Sequence, residues 1–354
     1  MAAWAWLVPL LSFGLLIVGV VAGVGTSLAV VCGMVLIAAV IAAVHHAERV
    51  AHRVGEPFGT LVLAVAVTVI EVSLILSIML AGGPGAAALP RDTIYAAVMI
   101  ICNGVVGTCV LVGGLAHREQ SFRVEGASAG LAALIALSAL ALVLPVFTVT
   151  TPGPMYNTPQ LVFAAVTSAV LWAVYVFVQT VRHRDYFLAP AGTTEEAHAV
   201  VPTDVQAWAS FGLLVVSLVS VVGLAKILSP FIEQAVERAG APKAVIGIVI
   251  AMLVLLPETW AAVRAAHANR LQTSMNLALG SALASIGLTI PVVAVASIVL
   301  GVPLILGLGP KDLVMLTLTF LLAAVTLATG RTHIMQGAVH LVVFVAYLFL
   351  AFVP

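Results

Sequence analysis

Two glutamates lie deep inside long apolar runs of this 354-residue chain. Glu71 lies within the run 57–81, and Glu258 lies within the run 244–263. The other acidic residues lie in polar segments or at the ends of apolar runs. A charge at the centre of a bilayer costs roughly 2.5–3.5 kcal/mol on insertion scales, so such residues usually face a cavity and serve a function. The alternative is a protonated glutamate that only packs between helices.

The composition explains what surrounds these glutamates. Apolar residues make up 63% of the chain and charged residues only 8%, whereas a soluble domain carries roughly 25% charged residues. Lipid must therefore solvate most of the surface. Basic and acidic residues number 14 each, which gives no indication of nucleic acid as a partner. The three cysteines lie in apolar runs without a metal-binding or disulfide pattern, and we expect them to be packing residues.

Runs of about 20 apolar residues predict an all-α integral membrane protein with about eleven transmembrane helices. The predicted spans are 4–24, 27–44, 57–81, 93–115, 126–149, 159–180, 206–228, 244–264, 273–299, 311–329 and 335–353. The longest polar connection, 182–205, separates two halves of similar size. These limits place His45, His46 and His52 in a loop.

The basic residues predict the orientation. With the N-terminus in the cytoplasm, nine arginines lie in inside loops and five basic residues lie outside, which agrees with the positive-inside rule. The inside set is Arg49, Arg53, Arg118, Arg123, Arg182, Arg184, Arg264, Arg270 and Arg331. The outside set is Arg91, Lys226, Arg238, Lys243 and Lys311. The prediction is a multi-pass inner-membrane protein with a cytoplasmic N-terminus and a cytoplasmic 182–205 linker.

The two glutamates head corresponding units of the sequence. Each is preceded by a Gly/Pro signal, with Pro57 before Glu71 and Pro242 before Glu258. Each is followed by a second long span with a polar stripe on one helical face. These stripes are Asn103, Gly107 and Gly114 in the first unit, and Ser274, Ser281, Ser285 and Thr289 in the second. The glutamates lie five spans apart, so the units cross the membrane in opposite senses, as in the inverted repeats of secondary transporters.

A pair of intramembrane glutamates predicts exchange chemistry. Mutual repulsion and desolvation raise their proton affinity, and a cation that enters between them displaces the protons. Such a site is the minimum device for antiport. Calcium suits two carboxylates because it is divalent and takes 6–8 oxygen ligands; sodium or potassium could use the same oxygens. Thr68, Asn103, Ser281 and Ser285 are the candidate supporting ligands. Pro257 also leaves the Leu253 carbonyl without its helical donor.

Three segments resemble a known family. The segment from Gly55 (GEPFGTLVLAVAVTVIEVSLIL) resembles the first repeat of the ChaA-type calcium or sodium/proton antiporters, in the CAX branch of the calcium/cation antiporter superfamily. The stretches VLLPETW and MNLALGSALASIGLTIPVV resemble the second repeat, and TGRTHIMQGAVHL resembles the region before the last helix. The resemblance implies one N-terminal helix (1–25) and two inverted five-helix repeats (26–181 and 206–354). It also implies that the repeat glutamates, Glu71 and Glu258, bind the exchanged cation and protons.

This chain departs from the wider CAX pattern just before each glutamate. That pattern has Gly-Asn, where this chain has Val67-Thr68 and Val254-Leu255. Thr68 can supply an oxygen atom to a cation, and Leu255 cannot.

The function expected from these features is exchange of Ca²⁺ for H⁺, with Na⁺/H⁺ or K⁺/H⁺ antiport as the alternative. A cation channel would more naturally show an acidic ring or a filter of backbone carbonyls. A membrane enzyme would need a nucleophile–base pair or metal ligands within the spans, and the sequence has neither. We expect lipid, the transported cation and protons as partners, and neither a cofactor nor ATP. For His340, inside the last span, a packing hydrogen bond is favoured over a proton relay.

Overall fold

The structure is a computed structural model that describes residues 3–55, 58–82, 85–188 and 202–353. These ranges are helical apart from short loops and one two-stranded sheet. The helices are α1 (Ala3–Ala22), α2 (Thr26–Val54), α3 (Phe58–Ala81), α4 (Leu89–Met99), α5 (Val106–His117), α6 (Val124–Ser138), α7 (Thr158–Phe177), α8 (Asp204–Arg238), α9 (Ala244–His267), α10 (Leu271–Leu300), α11 (Pro310–Ala328) and α12 (Ile334–Phe352), and the strands are β1 (Glu119–Ser121) and β2 (Arg331–His333).

Eleven of these segments account for the predicted membrane crossings. Ten helical segments in the described ranges are long and apolar enough to cross a membrane, and α3 contains the further apolar stretch Val65–Ser77. The fourth span, Ala86–His117, comprises α4, a π-helical turn at Ile100–Val105 and α5. The order is one N-terminal span and then two sets of five. Since five is odd, corresponding spans of the two sets cross the membrane in opposite senses. The predicted all-α membrane fold is confirmed.

Two predicted helix ends are wrong. The second span was predicted to end at residue 44 and the seventh at 228, but α2 continues to Val54 and α8 to Arg238. An apolar run marks the lipid boundary, whereas backbone hydrogen bonding continues for as long as the residues tolerate a helix. The prediction that His45, His46 and His52 lie in a loop is therefore also wrong, because all three are helical.

The described chain packs as two compact units. The first is Met1–Leu89 with Glu196–Val254, and the second is Pro90–Glu195 with Leu255–Pro354. Each unit contains helices from both halves of the sequence, so packing does not follow chain order. The division into repeats 26–181 and 206–354 remains a prediction about the sequence. The predicted linker is described only in part, since residues 189–201 lie outside the described ranges, as does Pro57.

The core of the first unit lies between α2 and α8, with α1 and α3 packed beside them. Small buried residues line the contact face of α2, among them Cys32, Ala39, Ala43 and Ala47. Their spacing of four or seven places them on one helical face and lets α8 approach closely. At one end of this pair, Arg53 Nε donates to Asp204 Oδ1 at 2.8 Å.

A histidine compensates for a proline in the same unit. Pro9 has no N–H, so the carbonyl of Ala5, one turn earlier in α1, lacks its helical donor. His46 Nε2 lies 2.8 Å from that carbonyl oxygen, and both residues are fully buried. A carbonyl can only accept, so Nε2 of His46 is the protonated ring nitrogen. The second helix is thereby fixed to the first.

The second unit is built around α10, which packs against α5, α6 and α7, while α12 packs against α5 and α11. Its loops meet in two groups. In one group, β1 pairs with β2 in antiparallel register and His117 Nε2 lies 2.8 Å from the carbonyl of His267. In the other, Gly307 donates its backbone N–H to Pro154 at 3.0 Å.

These groups agree with the predicted alternation of sides. The loops of the first group follow even-numbered spans, and those of the second follow odd-numbered spans. Loops that meet must lie on one side of the membrane, so the number of crossings between them is even, as predicted. Which side is the cytoplasm stays a prediction.

Candidate functional site

Glu71 is almost completely buried in the membrane-spanning helix α3. Glu71 is 4% exposed, and Thr68, one turn earlier, is 7% exposed. A spacing of three residues places the carboxyl and the hydroxyl on one face of the helix. A neighbouring face, with Ala66, Ile70 and Leu74 spaced by four residues, belongs to the core of the first unit. Part of the remaining surface of α3 is exposed, and the buried polar face carries the predicted cation ligands.

Glu258 lies in the second unit, in the last part of α9, and its side chain is half-buried. It directly follows Pro257, the proline inside this helix. Because proline has no N–H, the carbonyl of Leu253 lacks its usual helical donor. Thr259, on the other side of the glutamate, donates its hydroxyl to the carbonyl of Leu255 at 2.7 Å.

The hydroxyls predicted to support Glu258 lie along α10. Ser285 is buried and Ser281 is half-buried. The spacing of four places them on one face of a helix that continues through Pro291 to Leu300. Ser274 and Thr289 extend this face and are fully buried. A stripe of hydroxyl groups therefore crosses the second unit, as the spacing predicted.

Asn103 is buried, and its side-chain amide forms hydrogen bonds to two other helices. It lies in the π-helical turn of the fourth span and is completely buried. Its Nδ2 donates to Thr319 Oγ1 of α11 at 2.9 Å, and its Oδ1 lies 3.1 Å from Nδ1 of His340 in α12. The amide therefore joins three spans within the second unit. The expected packing hydrogen bond of His340 is confirmed.

Thr319 and Thr326 are not recognisable from the sequence as partners of this amide and imidazole. Thr326 Oγ1 lies 3.0 Å from His340 Nε2, and it is buried. The available signal was the spacing of seven residues between two of the threonines in α11, which places them on one face. Spacing alone does not say which helix that face contacts.

The structure thus places some of the predicted site residues on common helix faces, while the meeting of the others at one site remains a prediction. Thr68 and Glu71 share one face of α3, and Ser281 and Ser285 share one face of α10. Glu71 belongs to the first unit and Glu258 to the second, so their meeting at one site remains a prediction. The three cysteines, Cys32, Cys102 and Cys109, are buried and free.

Comparison with known proteins agrees with this architecture. A family profile for sodium/calcium exchanger proteins matches residues 11–181 and 209–353. The chain is 48% identical to the putative ionic transporter y4hA of Sinorhizobium fredii (strain NBRC 101917 / NGR234), over 99% of this chain and 96% of that protein. It is 34% identical to the sodium-potassium/proton antiporter ChaA of Escherichia coli (strain K12), over 87% of this chain and 84% of that protein.

A solved structure has the same fold. The crystal structure of the H⁺/Ca²⁺ exchanger CAX superposes with a TM-score of 0.74 at 13% identity, and the alignment covers 98% of this chain and 87% of that one. The match to the family profile spans nearly all of the membrane helices, in both halves of the sequence. The chain belongs to the sodium/calcium exchanger protein family, and it is a secondary cation antiporter rather than an enzyme.

Proposed function

We propose that this antiporter exchanges Ca²⁺ for H⁺ and that Glu71 and Glu258 bind the cation and the protons in turn. The observation that carries the proposal is the almost complete burial of the Glu71 carboxyl beside the buried hydroxyl of Thr68 in α3. Glu258 occupies the corresponding position in the second set of five spans. A buried carboxylate needs a counter-charge, and a proton or a cation can supply it.

Competition for the same oxygens couples the two fluxes. A calcium ion takes 6–8 oxygen ligands at 2.3–2.6 Å, so two carboxylates need neutral oxygens beside them. Thr68, Ser281, Ser285 and the carbonyl of Leu253 are the candidates, with Asn103 contributing its amide oxygen. When two protons occupy the carboxylates, the positive charge that balances them is already present, and the ion is excluded. Inward and outward access to this site would then move the ion and the protons in opposite directions.

Exchange of Na⁺ or K⁺ for H⁺ is the second candidate. The relative ChaA is a sodium-potassium/proton antiporter by its name, whereas the solved structure with the same fold is an H⁺/Ca²⁺ exchanger. Leu255 also offers no oxygen where the first repeat has Thr68. A site with fewer neutral ligands favours a monovalent ion more than a site with the full set does.

Transport in everted membrane vesicles distinguishes these ions. A pH gradient is established, and its collapse is measured after addition of Ca²⁺, Na⁺ or K⁺ at equal ionic strength. Collapse by Ca²⁺ at the lowest concentration supports the proposal, and a response to Na⁺ or K⁺ alone supports the second candidate. Uptake of the ion without a pH gradient and without proton movement would contradict antiport.

We also propose that the protein lies in the inner membrane and that its N-terminus and its 182–205 linker face the cytoplasm. The native cysteines are buried, so a single introduced cysteine can be labelled selectively. Cysteine at Asp185, in the loop after the sixth span, should react in everted vesicles and not in intact cells. Cysteine at Val149, which is 95% exposed in the loop after the fifth span, should react in intact cells. The reverse pattern would contradict this orientation.

A further inference from the structure

A chain of buried polar side chains connects α11, α12 and the fourth span. It runs from Thr326 through His340 and Asn103 to Thr319, with successive distances of 3.0, 3.1 and 2.9 Å. His340, Asn103 and Thr319 are completely buried, and Thr326 is 4% exposed. These side chains are closed to bulk solvent, so each polar atom depends on its neighbour in this series.

The positions of the hydrogen atoms in this series of side chains can be assigned by starting from Thr319. Thr319 donates its single hydroxyl hydrogen to the carbonyl of Met315, one turn earlier, at 2.8 Å. It must therefore accept from Asn103, which assigns the NH₂ group of the amide to this side. The amide oxygen, which can only accept, then faces His340. Nδ1 of His340 carries the hydrogen, and in the neutral imidazole Nε2 accepts from Thr326.

Close packing of two helices makes this geometry possible. Gly107 of the fourth span and Gly337 of α12 lie where the helices cross. A β-carbon on Gly107 would lie 3.0 Å from the β-carbon of His340, and one on Gly337 would lie 2.5 Å from the backbone nitrogen of Leu111. Small residues allow the backbones to approach, so the imidazole reaches the π-helical turn.

We propose that His340 is a positioning residue for cation transport, which fixes the amide of Asn103 through its Nδ1–H. A carbonyl oxygen has two lone pairs, so accepting one hydrogen bond leaves the other lone pair available to an ion in a fixed direction. The inference rests on the proposed role of Asn103 as a cation ligand. Hydrogen-bond partners that orient metal ligands typically change metal affinity about 10–100-fold when they are removed.

Two substitutions of His340 test the roles of its two ring nitrogens separately. In His340→Asn, the side-chain NH₂ takes the position of Nδ1 and can still donate to Asn103, but nothing replaces Nε2. In His340→Gln, the terminal amide reaches the position of Nε2 beside Thr326, and the donor to Asn103 is lost. Thr317→Val is the matched control, because Thr317 is an exposed threonine of α11 whose hydroxyl bonds the carbonyl of Leu313 in its own helix.

The measurement is the concentration dependence of cation/proton exchange in everted vesicles, at matched expression and with the thermal stability of each purified variant. We expect His340→Gln to raise the KM for the cation by about tenfold with little change in maximal rate. His340→Asn and Thr317→Val should keep a KM close to that of the wild type.

Equal KM values in His340→Asn and His340→Gln would overturn the inference, because a simple packing role does not distinguish the two nitrogens. If His340→Gln does not fold, His340→Asn decides alone, and a tenfold higher KM in folded protein would overturn the inference. Either result leaves the proposed function intact if Glu71→Gln still abolishes exchange. Exchange that persists in Glu71→Gln would instead refute the proposed function itself.

Discussion

The two sets of five spans present their candidate ligands in different ways. In the first set, Glu71 is almost fully buried, and the following span is interrupted by a π-helical turn whose Asn103 side chain is held by two other helices. In the second set, Glu258 is half-buried, and the following span, α10, is one continuous α-helix. Both sets therefore have a glutamate in one span and polar side chains in the next, but the local structure at these positions differs.

This difference suggests a division of roles within the proposed site. An amide that is bonded at both ends keeps one orientation, and a π-helical turn is a frequent feature of functional positions. A serine hydroxyl on a regular helix can rotate to suit an ion or a backbone carbonyl. We infer that the first set supplies preoriented oxygens and the second set supplies adaptable ones.

Removal of either glutamate charge is the strongest test of this comparison. Glu71→Gln and Glu258→Gln should each reduce exchange to the background level while membrane insertion remains intact, because the amide keeps the size but can neither titrate nor attract a cation. Exchange in everted vesicles at matched expression measures this loss. Glu125→Gln is the control, since Glu125 is exposed in the first turn of α6. Wild-type rates in either glutamate variant would remove that residue from the site.

The pH dependence of cation affinity tests whether protons and the cation share the carboxylates. Protons occupy the glutamates at low pH and must leave before the cation binds, so the affinity should rise with pH. The rise should reach about tenfold per pH unit for each proton displaced, and it should stop once both groups are ionised. Dissociation constants measured in detergent between about pH 5.5 and 9 provide the readout.

The same titration sharpens the comparison of the two glutamates. In Glu71→Gln one titrating group is missing, so the slope should become smaller even where residual cation binding can be measured. An affinity of the wild-type protein that does not change with pH would mean that protons bind elsewhere. The mechanism proposed here would then be wrong, although the family and the fold would stand.

Ligand substitutions should affect the two sets unequally. Asn103→Leu should raise the KM for the cation by about 10–100-fold and also lower stability, because it leaves Thr319 and His340 buried without their partner. Ser285→Ala removes one adaptable hydroxyl, and neighbouring oxygens or water can replace it, so we expect a change of only a few-fold. Kinetics and thermal unfolding of both variants measure the difference. Equal changes in KM would contradict the division into preoriented and adaptable ligands.

The smallest expected effect is a change in stability. A β-carbon at Gly337 would lie 2.5 Å from the Leu111 backbone nitrogen, whereas one at Gly280 in α10 would meet nothing within 4 Å. Gly337→Ala should therefore destabilise the protein by about 1–3 kcal/mol through overpacking. Gly280→Ala should be neutral or stabilising by up to about 1 kcal/mol, because alanine favours the helix. Thermal unfolding in detergent checks both, and a neutral Gly337→Ala would show that the crossing of α12 with the fourth span can relax.

Much of the architecture follows from composition and spacing. The apolar runs predicted every crossing in order, because lipid requires about 20 apolar residues for each helix. The same physics singled out Glu71 and Glu258, since a charge inside such a run is too costly to be incidental. The helix ends at Val54 and Arg238 could not be read in this way, because hydrophobicity reports the lipid boundary and not the end of backbone hydrogen bonding.

Tertiary structure alone decided which polar groups meet. Asn103, Thr319, Thr326 and His340 are up to 237 residues apart in sequence, and no local pattern records that the fourth span, α11 and α12 cross at one point. Helices α10, α11 and α12 pack against the π-helical turn that carries Asn103, and local propensity contains no information about these contacts. Spacing defines the face of a helix on which a residue lies, but only the packing of several helices defines what that face touches.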